Sequence, residues 1–138
     1  MKNDFICPHC RTVLNPNEEI IMLVSKGGAK HLILFSARIG DYTIHTSPEV
    51  DFEAGEVVDF MCPACHWSFR SPVADDISEV LLRDKEGAFS RVGFSRTYGK
   101  QATFLIDEED VKGFGEDAAA YRETNWFGAG RFWEGDQI

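Results

Sequence analysis

Four cysteines fall in two matched pairs, Cys7-Pro8-His9-Cys10 and Cys62-Pro63-Ala64-Cys65. Two residues between cysteines let both sulfurs reach one ion at about 2.3 Å without straining the loop. Proline after the first cysteine stiffens the turn. Two such loops face to face supply four thiolates, the donor set of a closed tetrahedral zinc site. The spacing therefore predicts Cys7, Cys10, Cys62 and Cys65 as ligands of one metal ion. The same thiolates also suit iron in a rubredoxin-type electron carrier, which stands as the alternative. A redox dithiol at C-P-H-C, with His9 stabilising a thiolate, is a third reading. It leaves Cys62 and Cys65 without a role and lacks a βαβ context. His9 and His66 adjoin the ligands, which makes a set of three cysteines and one histidine the variant reading, but with four cysteines at hand both imidazoles are expected either beside the cluster or exposed.

Other chemistry-bearing patterns fail on inspection. Residues 93–100 resemble a P-loop, but five residues separate the glycines and Gln101 stands where Ser or Thr must hold magnesium. Residues 113–118 fit a loose dinucleotide pattern, yet Glu116 and Asp117 would repel a pyrophosphate at the helix start. No H-E-x-x-H or G-x-S-x-G occurs. A non-enzymatic role is the expectation.

Two surfaces remain. Between residues 83 and 100, Arg83, Lys85, Arg91, Arg96 and Lys100 outnumber Asp84 and Glu86, with Phe89, Phe94 and Tyr98 interleaved. Arg91, Phe94, Arg96, Tyr98 and Lys100 form a candidate surface for single-stranded RNA or DNA. A hairpin with one core face and one solvated basic face explains much of the same pattern and is favoured. At the C-terminus Trp126, Phe127, Phe132 and Trp133 stand among glycines without a period. They either tuck back onto the domain or form an anchor for a protein partner.

Size and charge bound the rest. A chain of 138 residues with 43% hydrophobic and 12% aromatic residues holds a real core, so a metal aids folding without being its sole support. The net charge of −9 counts the cysteines as neutral, and a thiolate cluster makes the chain more negative still. Phosphate backbones and anionic membranes repel such a protein as a whole. The longest early apolar run, residues 20–24, is too short for a signal segment or a membrane span. A cytoplasmic, reducing setting is expected, in which paired cysteines read as metal ligands.

These residues must be positioned by strands. Residues 19–25 and 31–38 are rich in branched apolar side chains and flank Gly27-Gly28, a hairpin signal. Residues 42–46 and 56–61 read as further strands around an acidic loop. Residues 67–70 leave the second cysteine loop as a strand, and residues 79–83, 88–95 and 101–106 follow. Asp84-Lys85-Glu86-Gly87 suits a turn closed by a left-handed glycine. A helix over residues 76–86 is the alternative there. A helical turn is expected at residues 107–110 and a helix over 116–124. No repeat is evident beyond the paired C-P-x-C loops.

The cysteine loops with the strands beside them resemble the zinc-ribbon superfamily, in which two knuckles at hairpin tips clamp one ion. The whole chain also looks like small bacterial proteins with a C-P-x-C pair, a strand-rich insert and a C-terminal hairpin. The resemblance implies a mainly β fold with a minor helical part. The implied fold would be a zinc ribbon with a strand-rich insertion between the knuckles, extra C-terminal β-hairpins and one short helix. Residues 1–72 would form the ribbon with its insert, 73–125 the hairpins and helix packed on it, and 126–138 an aromatic tail. Both knuckles depart from the family in lacking a glycine after the second cysteine, with Arg11 and His66 there instead. The implied role is a non-catalytic zinc-binding accessory factor that works through protein contacts.

Overall fold

The computed structural model describes residues 3–26, 28–38, 42–46, 52–71, 73–107, 110–122, 124 and 126. The architecture is mainly β, as the alternating apolar runs require. One antiparallel sheet has the order β1 (Asp4–Ile6), β6 (Ile77–Arg83), β7 (Phe89–Ser95), β8 (Thr103–Ile106), β9 (Val111–Phe114). The second has the order β4 (Ile44–Thr46), β3 (Ala29–Phe35), β2 (Ile20–Lys26), β5 (Asp59–Met61). Among the described residues no helix is long and apolar enough to cross a membrane.

Turn chemistry sets the hairpins. Lys26 pairs with Ala29, and Gly28 with φ 82 supplies the left-handed residue that this tight return from β2 to β3 needs. Gly87 has φ 88 and its N–H reaches Asp84 O at 3.0 Å, closing β6 onto β7. The helical alternative for residues 76–86 gives way to strand. Two local expectations are corrected. At residues 107–110, of which 108 and 109 lie outside the described residues, the expected helical turn stands where β8 returns into β9: Asp107 N–H bonds Asp110 O at 3.0 Å, and β9 carries no strand signal of its own. The helix over 116–124 contracts to a 3-10 helix at Ala118–Tyr121. A segment this short has too few hydrogen bonds to propagate an α-helix. It is held instead by packing and by the Tyr121 hydroxyl, which donates to the Asp76 carboxylate at 2.6 Å. Burial, reinforced by that bond, pushes the Tyr121 phenol up to about 12.

The sheets face one another across the main core. Phe5, Val80, Leu82 and Val92 from the first meet Met22, Val24, Ile33 and Phe60 from the second. Each such side chain contributes about 1.5–3 kcal/mol when fully buried. On the opposite face of the first sheet, Ile77, Phe104 and Ile106 pack against Tyr121 and Trp126. The first sheet is thus covered on both faces, and β6 is buried from Ile77 through Leu82. The second sheet is covered on one face. Its register puts Ile21, Leu23, Leu32 and Leu34 together on the outer side, where Leu32 is 55% exposed.

The two sheets join at their edges. After β1 the chain turns through the first cysteine loop; Val13 bridges Ile6, and Leu14 O accepts from Ile21 N–H at 2.7 Å. After β5 it turns through the second loop; Ser68 bridges Met61, and Phe69 O accepts from Glu79 N–H at 2.6 Å. The strand expected over residues 67–70 consists of isolated bridges at Ser68 and Arg70. Each return arm therefore passes from one sheet to the other, and the two loops meet at the same end of the molecule.

Candidate metal centre

The two cysteine loops are built alike. In the first, Arg11 N–H reaches Cys7 O at 3.0 Å and Cys7 N–H reaches Thr12 O at 3.0 Å. In the second, His66 N–H reaches Cys62 O at 2.9 Å and Cys62 N–H reaches Trp67 O at 2.9 Å. Arg11 and His66, which occupy the glycine positions of a usual knuckle, have φ 67 and 65. A residue with a Cβ gives up about 1–2 kcal/mol in that left-handed region. Both loops accept the penalty because the turn aims backbone N–H groups at sulfur. His9 and Cys10 donate to Cys7 Sγ at 3.4 and 3.5 Å, and Ala64 donates to Cys62 Sγ at 3.3 Å.

The four sulfurs converge. All lie within 4.8 Å of one another, with Cys7 to Cys65 at 3.8 Å and Cys10 to Cys62 at 3.7 Å. A tetrahedron of thiolates around an ion at about 2.3 Å has edges of about 3.8 Å. A disulfide needs about 2.05 Å, so no pair is bonded. The donor set and its spacing fit a tetrahedral metal ion. Burial pushes the Cys7 thiol far up and the Cys65 thiol up as well. Burial acts on Cys10 too, but the Thr12 hydroxyl at 3.1 Å, the Thr12 backbone and the neighbouring thiols outweigh it and bring Cys10 down to about 6. A bound cation favours the thiolate at every ligand.

Among the described residues the cluster consists of the four cysteines alone. The His9 ring stacks on Trp67, centroids 4.5 Å apart and planes 3° from parallel, so it clasps one loop to the other. His66 is exposed on its turn.

The remaining sequence-predicted residues are not brought together. Arg91 is 7% exposed and its guanidinium meets the Glu79 carboxylate at 2.7 and 2.8 Å. Arg96 is 6% exposed and donates from Nε to Val58 O at 2.8 Å. Phe94 packs against Phe35 and Phe60 in the core, whereas Tyr98 and Lys100 are exposed. The basic–aromatic set is therefore divided between interior and surface, because both faces of the first sheet are covered. Trp126 is 5% exposed, with its ring 4.6 Å from that of Phe104 and its carbonyl accepting from Arg91 at 2.6 Å. Phe127, Phe132 and Trp133 lie outside the described residues.

Three features escaped sequence reasoning. The buried Glu79–Arg91 pair sits on strands whose outer face reads as solvated. Gly93, dismissed as half of a failed P-loop, is where Trp126 approaches: a Cβ there would stand 3.3 Å from Trp126 Cζ3 and 3.2 Å from Ile77 Cγ2. The cysteine repeat also extends further than C-P-x-C. Asp4-Phe5-Ile6-Cys7-Pro8 matches Asp59-Phe60-Met61-Cys62-Pro63, and the match includes the strand that enters each loop. The signal for it was the shared Asp-Phe before each loop. No family model, curated protein or solved structure matches this chain.

Proposed function

We propose that Cys7, Cys10, Cys62 and Cys65 hold one structural zinc ion in a zinc-ribbon centre of the kind found in small bacterial proteins, and that the chain is a non-catalytic binding protein. The observation that carries this reading is the pair of sulfur–sulfur edges, 3.7 and 3.8 Å, each of which spans the two loops. Catalytic zinc keeps a coordination position open for water, whereas four thiolates close the shell. The loops hang on β1 and β5, edge strands of different sheets, so one ion cross-links the sheets where, among the described residues, isolated bridges and single backbone bonds join them. That position favours a folding role over electron transfer. The outward aliphatic face of β2 and β3 supports a role in protein contacts, as an accessory factor in a reducing, cytoplasmic setting.

Elemental analysis of the purified chain tests the centre. One zinc per chain and a colourless solution are expected. Iron with the red colour of a ferric tetrathiolate would replace the proposal by an electron carrier. For the contact role, a Leu32→Glu chain with unchanged zinc content should recover fewer proteins from native lysate than the parent. Equal recovery would remove the outer face from the argument.

A further inference from the structure

Between the facing sheets the side chains stop short of one another. Met22, Ile33, Phe35, Val92 and Phe94 are among the walls of a cavity of about 310 Å³ that opens to solvent. Interiors normally pack with few voids larger than a water molecule, and one this size lies at the low end of the roughly 300–1,000 Å³ of small-molecule sites. Its mouth is chemically distinct from its depth. Arg38 and Lys100, both exposed, line the opening with Tyr98.

Charge identifies the occupant. The chain holds 23 acidic and 14 basic residues, yet the described lining of this cavity contains Arg38, Arg96 and Lys100 and no Asp or Glu. Arg96 is committed to the carbonyls of Val58 and Asp75. Among the described residues neither Arg38 nor Lys100 has an acidic partner; the Lys100 ammonium rests 5.9 Å from the Tyr121 ring centroid, on the far side of the first sheet, and must swing to the opening to meet a head group. Two cations over an apolar well match an apolar tail that ends in an anion. Most of the walls are aliphatic or aromatic, and of the polar lining side chains Tyr42 and Thr103 bond one another at 3.0 Å while Ser36 and Ser95 accept from the backbone N–H groups of Arg38 and Thr97. At roughly 30 Å³ for a methylene-sized group, the space takes roughly ten carbons.

We propose that the inter-sheet cavity binds a single-chain carboxylate of medium length, with its tail between the sheets and its head between Arg38 and Lys100. This goes beyond the metal reading, and zinc content measured on the same samples keeps the two separable.

The test is calorimetric titration of the full, metal-loaded chain with decanoate below its micelle concentration. One saturable site is expected. Octanoate should bind about fifteenfold more weakly, since each buried methylene is worth about fourfold. Decanol should bind more weakly than decanoate, and decylammonium more weakly still. The double variant Arg38→Glu, Lys100→Glu should weaken decanoate at least tenfold and leave decanol unchanged. Val92→Phe, which fills the well, should abolish binding of both; if it does not fold, the surface double variant decides alone. Absence of saturable decanoate binding overturns the proposal. So does equal affinity for the three head groups, or no dependence on chain length.

Discussion

The two cysteine loops share a backbone and differ in what stands behind it. Behind the first is one amide: buried Asn15 accepts from Phe5 N–H at 2.8 Å and donates to Asn3 O at 2.9 Å. Behind the second is a chain of charge. The Ser71 hydroxyl donates to Glu79 at 2.6 Å, Glu79 takes two bonds from Arg91, and Arg91 holds the Trp126 carbonyl. The matched aspartates diverge likewise. Asp4 meets Arg83 at 2.8 Å near the surface, whereas Asp59 accepts from the Ser68 hydroxyl at 2.7 Å and faces buried Arg96. Ligand geometry dictates the loops, which are therefore alike. Their support answers to the sheet that each arm enters. The first arm enters the sheet covered on one face, and the second enters the sheet covered on both.

The ligands should show the symmetry most strongly. Cys7 and Cys62 are both 0% exposed and occupy equivalent places. Cys7→Ser and Cys62→Ser should each lose stoichiometric zinc and lower the melting temperature by roughly 15 °C or more, as strong chelation of the parent should also do. Circular dichroism melts with metal analysis check this. A variant that keeps its zinc would show that the loops are not equivalent.

The supports should then separate the two halves. Glu79→Ala leaves Arg91 charged and buried without its carboxylate, a change that costs about 3–5 kcal/mol. It also removes the carboxylate that orients Arg91 toward the Trp126 carbonyl, so indole fluorescence should shift to the red. Asn15→Ala orphans one buried N–H and one carbonyl and should cost about 1–3 kcal/mol with no fluorescence change. Denaturant unfolding measures both. Equal losses would mean that the ion pair contributes no more to its half than an amide does.

What the chain revealed in advance follows the same division. The sulfur ligands were legible because metal chemistry restricts residue type and spacing together. The β2–β3 and β6–β7 hairpins were legible because Gly28 and Gly87 adopt positive φ, which few other residues accept. β1 and β9 were not, since the cysteine loop cuts β1 to Asp4–Ile6 and β9 sets Lys112 and Gly113 between Val111 and Phe114. Arg91 misled because alternation assigns basic residues to a solvated face, and Arg96 because nothing local shows that its guanidinium is taken by the Val58 and Asp75 carbonyls. Here the outer face of the first sheet is closed over Arg91 by Tyr121 and Trp126, which lie 30 and 35 residues further along the chain. Side chains that meet only through tertiary packing leave no local trace.

The smallest effect concerns the positive-φ residues after each loop. Glycine at Arg11 or His66 relieves a left-handed strain of about 1–2 kcal/mol but returns about 0.5–1 kcal/mol as unfolded-chain entropy. His66→Gly should therefore raise stability by up to about 1 kcal/mol, because the exposed imidazole gives up little. Arg11→Gly should gain less, since the Arg11 guanidinium lies 5.9 Å over the Phe89 ring and an exposed contact of that kind is worth about 0.5–1 kcal/mol. Paired melts of zinc-loaded protein resolve the difference. A larger gain at Arg11 would mean that the Phe89 contact contributes nothing. A loss at both sites would mean that the sulfur-directed N–H groups depend on the side chains as well as on the turn.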